Sequence, residues 1–160
     1  MDADNALARA YDTNPARRAA APPYALHLRW LRRHNNAQWH DTRITLPEPV
    51  RSRPPRYIVY ARNSAGSGTA DETLSIVRRH VERAGGVIAR EVTDAHAPCH
   101  PQKRPGWAEA RRLVGRGFAD GIAVVDRDTV SHHDPEYEAE IIAIGATPAL
   151  VLLVRPESAT

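Results

Sequence analysis

From residue 57 onward the chain alternates short apolar runs with longer amphipathic stretches. Tyr57–Ala61, Val87–Val92, Ile122–Val125 and Ala149–Val154 have the length and composition of buried strands. Between the first two, Leu74, Val77, Val81 and Ala84 share one face of a helix spanning Asp71 to Ala84. Arg78, Arg79 and Arg83 lie outside, and Gly85-Gly86 ends it. A second helix carries Trp107, Ala110, Leu113 and Val114, with Pro105 suited to its first turn. Asp134-Pro135 opens a third, with Tyr137, Ile141 and Ile144 inward and Gly145 as its stop. The order β-α-β-α-β-α-β predicts a three-layer α/β/α domain around a mainly parallel four-stranded sheet. Right-handed crossovers then bring Ser64, Asp94 and Asp128 to one rim, at the carboxyl ends of the strands.

The first 56 residues follow a different pattern. Residues 1–23 form an Ala/Arg-rich segment ending in two prolines and are expected to be a loose helix or disorder. Tyr24 to Trp39 sets Leu26, Trp30, Leu31 and His34 at near-helical spacing, interleaved with Arg29, Arg32 and Arg33. Pro47, Pro49, Pro54 and Pro55 then make a stiff linker. The predicted organisation is an N-terminal extension over residues 1–55 and a domain over 56–160.

Charge sharpens that division. Residues 1–56 hold ten arginines against five acidic residues, whereas 57–160 hold twelve basic against fourteen acidic. A basic arm on a near-neutral domain points to a polyanion, with Arg29, Arg32 and Arg33 as candidate DNA contacts. Cys99, the single cysteine, excludes an internal disulfide framework. The polar N-terminus and the lack of a long apolar run predict a soluble cytoplasmic protein without a membrane partner. His96, Cys99 and His100 lie close together but lack the paired spacing of a structural zinc site, so they are expected in a polar loop with no metal. Trp30 and Trp39 are expected to cover apolar surface. Glu136, Glu138 and Glu140 are expected on a solvated helix face.

The chemistry points to phosphate. Arg62 and Ser64 follow an apolar run at a strand end, where open α/β sheets place their sites. A hydroxyl beside permanently charged guanidinium groups suits attack on a phosphate or its retention, and Arg104 returns to the same rim. The glycines of Ala65-Gly-Ser-Gly-Thr69 leave backbone N–H groups free near a helix start, although no P-loop Gly-Lys-Ser/Thr follows.

Taken in order, several motifs resemble the resolvase/invertase family of serine recombinases. They are Tyr60-Ala-Arg-Asn-Ser64, Gly85-Gly86-Val-Ile, Thr93-Asp94, Lys103-Arg104-Pro105-Gly106-Trp107, and Ile122 through His132. The last two correspond to the family's Asp-Arg-Pro-Gly block and its Asp-Arg-Leu-Ser-Arg motif. The resemblance covers roughly residues 57–154, the catalytic domain. It implies DNA strand breakage and rejoining through a phosphoseryl intermediate without a cofactor. It casts Ser64 as nucleophile, Arg62 and Arg104 as phosphate ligands, and Asp128 as the third-strand aspartate. Implied partners are DNA and, in addition, a second copy or a full-length recombinase.

Two departures qualify the expected activity. The arginines of Asp-Arg-Leu-Ser-Arg fall on Thr129 and His132, and the glutamine usual in the first helix falls on Val77. Oriented charge dominates catalysis of phosphoryl transfer, so strand cleavage is expected to be impaired. The alternative is a non-catalytic, recombinase-derived module that binds DNA or protein. The family's dimerising helix and DNA-binding domain follow the fourth strand, and neither is expected within these 160 residues.

Overall fold

A computed structural model describes residues 24–63, 69–95 and 99–157. In chain order the elements are α1 (Tyr24–Arg43), β1 (Arg56–Arg62), α2 (Ala70–Arg83), β2 (Val87–Asp94), α3 (Pro105–Gly115), β3 (Gly121–Val124), α4 (Arg127–Val130), α5 (Asp134–Gly145) and β4 (Leu150–Leu153). A 3₁₀ turn at Pro101–Lys103 precedes α3. The strands form one sheet in the order β2-β1-β3-β4, every neighbouring pair parallel. The expected α/β architecture is therefore the observed one.

Alternation along the strands divides the core between the two faces of the sheet. Ile58, Tyr60, Ile122, Val124, Val151 and Leu153 pack with Trp107 and Ala110 of α3 and Tyr137, Ile141 and Ile144 of α5. Tyr57, Val59, Ala61 and Ala123 face the other way, onto Leu74, Val77 and Val81 of α2. Val77 is thus wholly buried under the sheet, which accounts for an apolar residue at this position. β1 and β3 lie inside the sheet and are buried almost throughout, which is why both read as continuous apolar runs.

Helix α1 belongs to the same packed body. Leu28 enters the core beside α3 and α5, while Trp39 joins the core on the α2 side. Between them the Asn36 side chain completes the outer edge of β4. Its amide N donates to the Val151 carbonyl at 2.9 Å, and its carbonyl accepts from the Val151 N–H at 2.9 Å. One side chain thereby satisfies both backbone groups that a sheet edge leaves open. The close approach of α1 to α5 depends on Gly145, where a Cβ would lie 2.2 Å from the Asn35 amide nitrogen.

A buried polar cluster ties α1 to the chain's far end. Arg32 grips the Glu157 carboxylate through Nε at 2.8 Å and Nη2 at 3.0 Å, and the Tyr137 hydroxyl donates to the same carboxylate at 2.6 Å. Burial pushes the Glu157 carboxyl up. The Arg32 and Tyr137 hydrogen bonds, with the charge of Arg32, outweigh it and hold the group below the ordinary carboxylate range. Arg29 donates to the Glu157 backbone carbonyl.

The expectation for Glu136, Glu138 and Glu140 needs correcting. Glu140 is 1% exposed and accepts from the Trp107 indole N–H at 3.1 Å, with Arg111 at 3.0 Å. A carboxylate on the buried face is tolerated because both of these donors reach it. Among the described residues, no helix is long and apolar enough to cross a membrane.

Candidate functional site

The carboxyl edge of the sheet is organised by Asp94 at the end of β2. Its buried carboxylate accepts from the Tyr60 hydroxyl at 2.6 Å, the Gly106 N–H at 2.8 Å and the Trp107 N–H at 3.0 Å. Asp94 therefore caps α3 from another element, satisfying two donors that every helix start leaves open. This explains the sequence Arg104-Pro105-Gly106. Pro105 occupies the first turn, where no N–H is needed. Gly106 must lack a Cβ, because one would lie 2.8 Å from Cγ and both carboxylate oxygens of Asp94. Gly106→Ala is expected to lower stability by about 1–3 kcal/mol, seen as a reduced urea midpoint with an unchanged slope. It should also weaken the hold on Arg104, the residue immediately before this helix.

Arg104 is 4% exposed, and its guanidinium is held by backbone carbonyls and lies against the Tyr60 hydroxyl. Nε donates to the Cys99 carbonyl at 3.1 Å and Nη1 to the Thr129 carbonyl at 2.8 Å. Arg62, half-buried at the end of β1, donates through Nη2 to the Asp128 carbonyl at 3.3 Å. Partial burial, and after it the positive charge of Arg104, pull the Arg62 guanidinium below its ordinary value. Among the described residues neither arginine makes an ion pair with a carboxylate. The rim thus holds two neighbouring cations, one of them buried, with the Asp128 carboxylate acting on Arg62 and the Glu136 carboxylate on Arg104 from beyond ion-pair distance. Such a pair suits an anion with several oxygens, which guanidinium forks bind in bidentate fashion.

Ser64, the candidate nucleophile, lies outside the described residues, as does His96. Asn63, the residue before Ser64, is fixed at the rim: its N–H donates to the Asp94 carbonyl at 3.1 Å. Its Oδ1 accepts from the Ala70 N–H at 2.9 Å, at the first turn of α2. Thr69 and Glu72 complete that helix start as a capping box. Asn63, Thr69, Ala70, Asp71 and Thr93 line a shallow open depression there.

Asp128 reaches the site through its backbone carbonyl. Its side chain is 69% exposed and lies 3.9 Å from Arg127. Thr129 is buried, bonding through its hydroxyl to Asp126 at 3.3 Å, and it orients Arg104 through its carbonyl. Arg127, the nearest arginine in sequence, is committed elsewhere. Its Nη1 donates to Asp134 at 2.5 Å, Nη2 donates to the Ser131 carbonyl at 3.0 Å, and its guanidinium lies 4.7 Å from the Tyr137 ring centroid. His132 is exposed and packs on His133. Among the described residues no third guanidinium stands beside Arg62 and Arg104.

The expectation of three DNA contacts on α1 also changes. Arg32 is buried in its bond to Glu157, and Arg29 is partly buried and bonded to the backbone of the same residue. Arg33 is exposed. Cys99 is an exposed free thiol, and His100 uses Nδ1 to accept from the Gln102 N–H at 3.1 Å. Among the described residues, no cluster of three or more His, Cys, Asp or Glu side chains could hold a metal.

The residues that position the arginines were missed by sequence reasoning in these roles: the Asp94 carboxylate, and the carbonyls of Cys99 and Thr129. An Asp at a strand end followed, at the next helix start, by Arg-Pro-Gly is a usable signal for the first. Carbonyl acceptors leave no trace in residue type.

The fold is similar to that of solved serine-recombinase catalytic domains. The C-terminal catalytic domain of ISC1926 TnpA, an IS607-like serine recombinase, superposes with a TM-score of 0.53 at 16% identity, over 65% of this chain and 73% of that one. The first open reading frame of transposon ISC1904 from Sulfolobus solfataricus P2 gives 0.51 at 16% identity, over 66% and 71%. The N-terminal catalytic domain of TP901-1 integrase is 21% identical over 51% of this chain, with a TM-score of 0.46. The chain spans 62% of that domain's length. No family model and no curated protein matches the sequence.

Proposed function

We propose that this chain is a serine-recombinase-type domain that binds DNA phosphodiesters at Arg62 and Arg104, and that its strand transfer through Ser64 is impaired. The observation that carries the reading is the buried Arg104 guanidinium beside Arg62, held by carbonyls and, among the described residues, in no ion pair with a carboxylate. A cation is costly to bury without a counter-charge unless an anion completes the site. Impairment follows from the engagement of Arg127 with Asp134 and Tyr137, the burial of Thr129 and the exposure of His132. Each absent charged contact to a phosphoryl transition state is worth about 3–4 kcal/mol, so two slow the reaction by several orders of magnitude.

The test is adduct formation on DNA carrying a break that traps a covalent intermediate. Wild-type protein is expected to form a slowly accumulating Ser64 phosphoester, identified by mass spectrometry and absent from Ser64→Ala. Adduct completed within seconds would reject the impairment. Salt-insensitive DNA binding would reject the phosphate site. Binding without any adduct would favour the second reading, a non-catalytic module that recruits DNA, a second copy or a full-length recombinase. The same missing guanidinium groups support that reading. Arg33 and Arg53, both exposed, would add non-specific phosphate contacts in either case.

A further inference from the structure

We propose that the amino edge of the sheet carries a second nucleic-acid site, in which Phe118 stacks a base of a single strand and the arginines around it hold the neighbouring phosphates. This edge is the opposite end of the sheet from Arg62 and Arg104, and the proposal does not rest on the reading of those two residues. β1 runs from Arg56 to Arg62, so the two ends stand about 20 Å apart.

Phe118 is the chain's single phenylalanine, and it is 43% exposed. The end of α3 fixes it there. The Gly117 N–H donates to the Val114 carbonyl at 3.0 Å and the Phe118 N–H to the Leu113 carbonyl at 2.9 Å, with Gly117 at a φ of 78°. This is a Schellman closure, which commonly lays an apolar residue back on the helix's last turn. Here much of the ring stays open to solvent, and the Arg90 guanidinium lies 5.0 Å from its centroid. The backbone hydrogen bonds order this platform before any ligand arrives, which lowers the entropic cost of stacking on it.

Positive charge surrounds the ring. Arg56 donates through Nη2 to the Gly117 carbonyl at 3.1 Å, beside Phe118 in sequence. Arg116 is two residues away and exposed, and Arg112 precedes it by one turn. Among the described residues, the carboxylates in contact with these arginines are Glu109 and Asp120, and both are outnumbered. Glu109 meets Arg112 at 2.6 Å and Arg90 at 3.6 Å. Its carboxyl is held below the ordinary range first by the Arg112 hydrogen bond and further by the charges of Arg112, Arg90 and Arg116. Asp120 accepts from the Arg56 backbone N–H at 2.8 Å and lies 3.6 Å from both Arg43 and Arg56. The side chains of Arg90 and Arg112 remain exposed and that of Arg56 partly so, within reach of a phosphate.

An open aromatic ring among guanidinium groups has the chemistry of a single-strand site: the ring takes a base face, and the charges follow the backbone. The bases of a duplex are stacked on one another and offer no free face to a ring at a protein surface. Phe118 therefore favours unpaired strands, whereas the arginines alone would serve either form. An acidic protein would use the same charges without needing a flat ring.

The experiment is fluorescence anisotropy of the full chain with a labelled oligothymidylate of about twelve nucleotides, a length within the range one such site covers, and with the same strand annealed to its complement. Phe118→Ala is expected to weaken binding of the single strand by about 5- to 150-fold, the worth of one stacked base, and to change duplex affinity by less than about twofold. Phe118→Leu keeps apolar bulk without a flat ring and should lose as much, while Phe118→Trp should retain the affinity. Arg116→Gln should lower the salt slope for the single strand by about 0.7. The loss on Phe118→Ala should persist in an Arg62→Ala background, because the two sites lie at opposite ends of the sheet. Its disappearance there would assign the effect to the arginine site and overturn the proposal. Equal weakening of strand and duplex would overturn it as well. So would unchanged single-strand affinity in Phe118→Ala and Phe118→Leu, which would leave an acidic protein as the occupant.

Discussion

Arg32→Met is expected to destabilise the protein by about 3–5 kcal/mol, a large part of the roughly 5–15 kcal/mol that separates folded from unfolded domains. The variant leaves the Glu157 carboxylate in its buried position with Tyr137 as its remaining side-chain donor. The cost is that of an uncompensated buried charge, and it exceeds the net worth of the ion pair. The double variant Arg32→Met/Glu157→Leu removes both charges and should recover most of the loss. The pH dependence follows from the sign of the shift. The folded-state value of Glu157 is depressed, so its stabilising contribution is complete above the ordinary carboxylate value of 4.5 and is lost as pH falls through the lower folded value. Urea denaturation across that acid range should show wild type losing stability more steeply than the double variant. A single-variant cost below about 1 kcal/mol would place the cluster among surface-type pairs.

Arg104→Ala is expected to weaken binding of a short DNA duplex by about 2–4 kcal/mol, or 30- to 1000-fold. It should also reduce any Ser64 adduct at least as much, because the proposed role has the guanidinium act on the phosphate in both states. Arg104→Lys is the informative companion. It keeps the charge but cannot make the fork that donates to Cys99 and Thr129 while leaving further N–H groups for a ligand. Its affinity should fall between those of wild type and Arg104→Ala. Arg62 is less buried and has one carbonyl partner, so Arg62→Ala should cost less affinity and little stability. Removing one phosphate contact should lower the salt slope by about one.

The strands and the site differ in how far the sequence reveals them, and the reason is where their partners lie. Interior strands have apolar neighbours on both faces, so Tyr57–Ala61 and Ile122–Val125 declare themselves by composition. The pairing of Arg62 with Arg104 could be read from motif order, because strand ends in a parallel sheet share one rim. Side chains whose partner is remote were not legible. Arg32 looks like a solvent-facing arginine on an amphipathic helix until Glu157, 125 residues away, is brought to it. Asn36 looks like a helix-weakening polar residue until the open edge of β4 is placed against it. Glu140 falls among acidic neighbours that suggest solvent, yet its position on α5 faces the Trp107 indole. The short helix α4 has four residues and no periodicity to detect, although the Asp126 side chain caps it.

The histidines of the rim show the converse. Their positions were legible as departures from a family pattern, and their consequence required the structure. Only coordinates reveal that Thr129 is turned inward, that Arg127 is spent on Asp134 and Tyr137, and that His132 lies against His133. A two-arginine site is the physical content of the impairment proposed above.

The most direct measurement is a titration of the arginine side-chain N–H resonances by NMR, with a short duplex as ligand. The account predicts that the signals of Arg62 and Arg104 shift together and saturate at the same DNA concentration, while that of Arg32 stays fixed. DNA binding that leaves both Arg62 and Arg104 unshifted would contradict it.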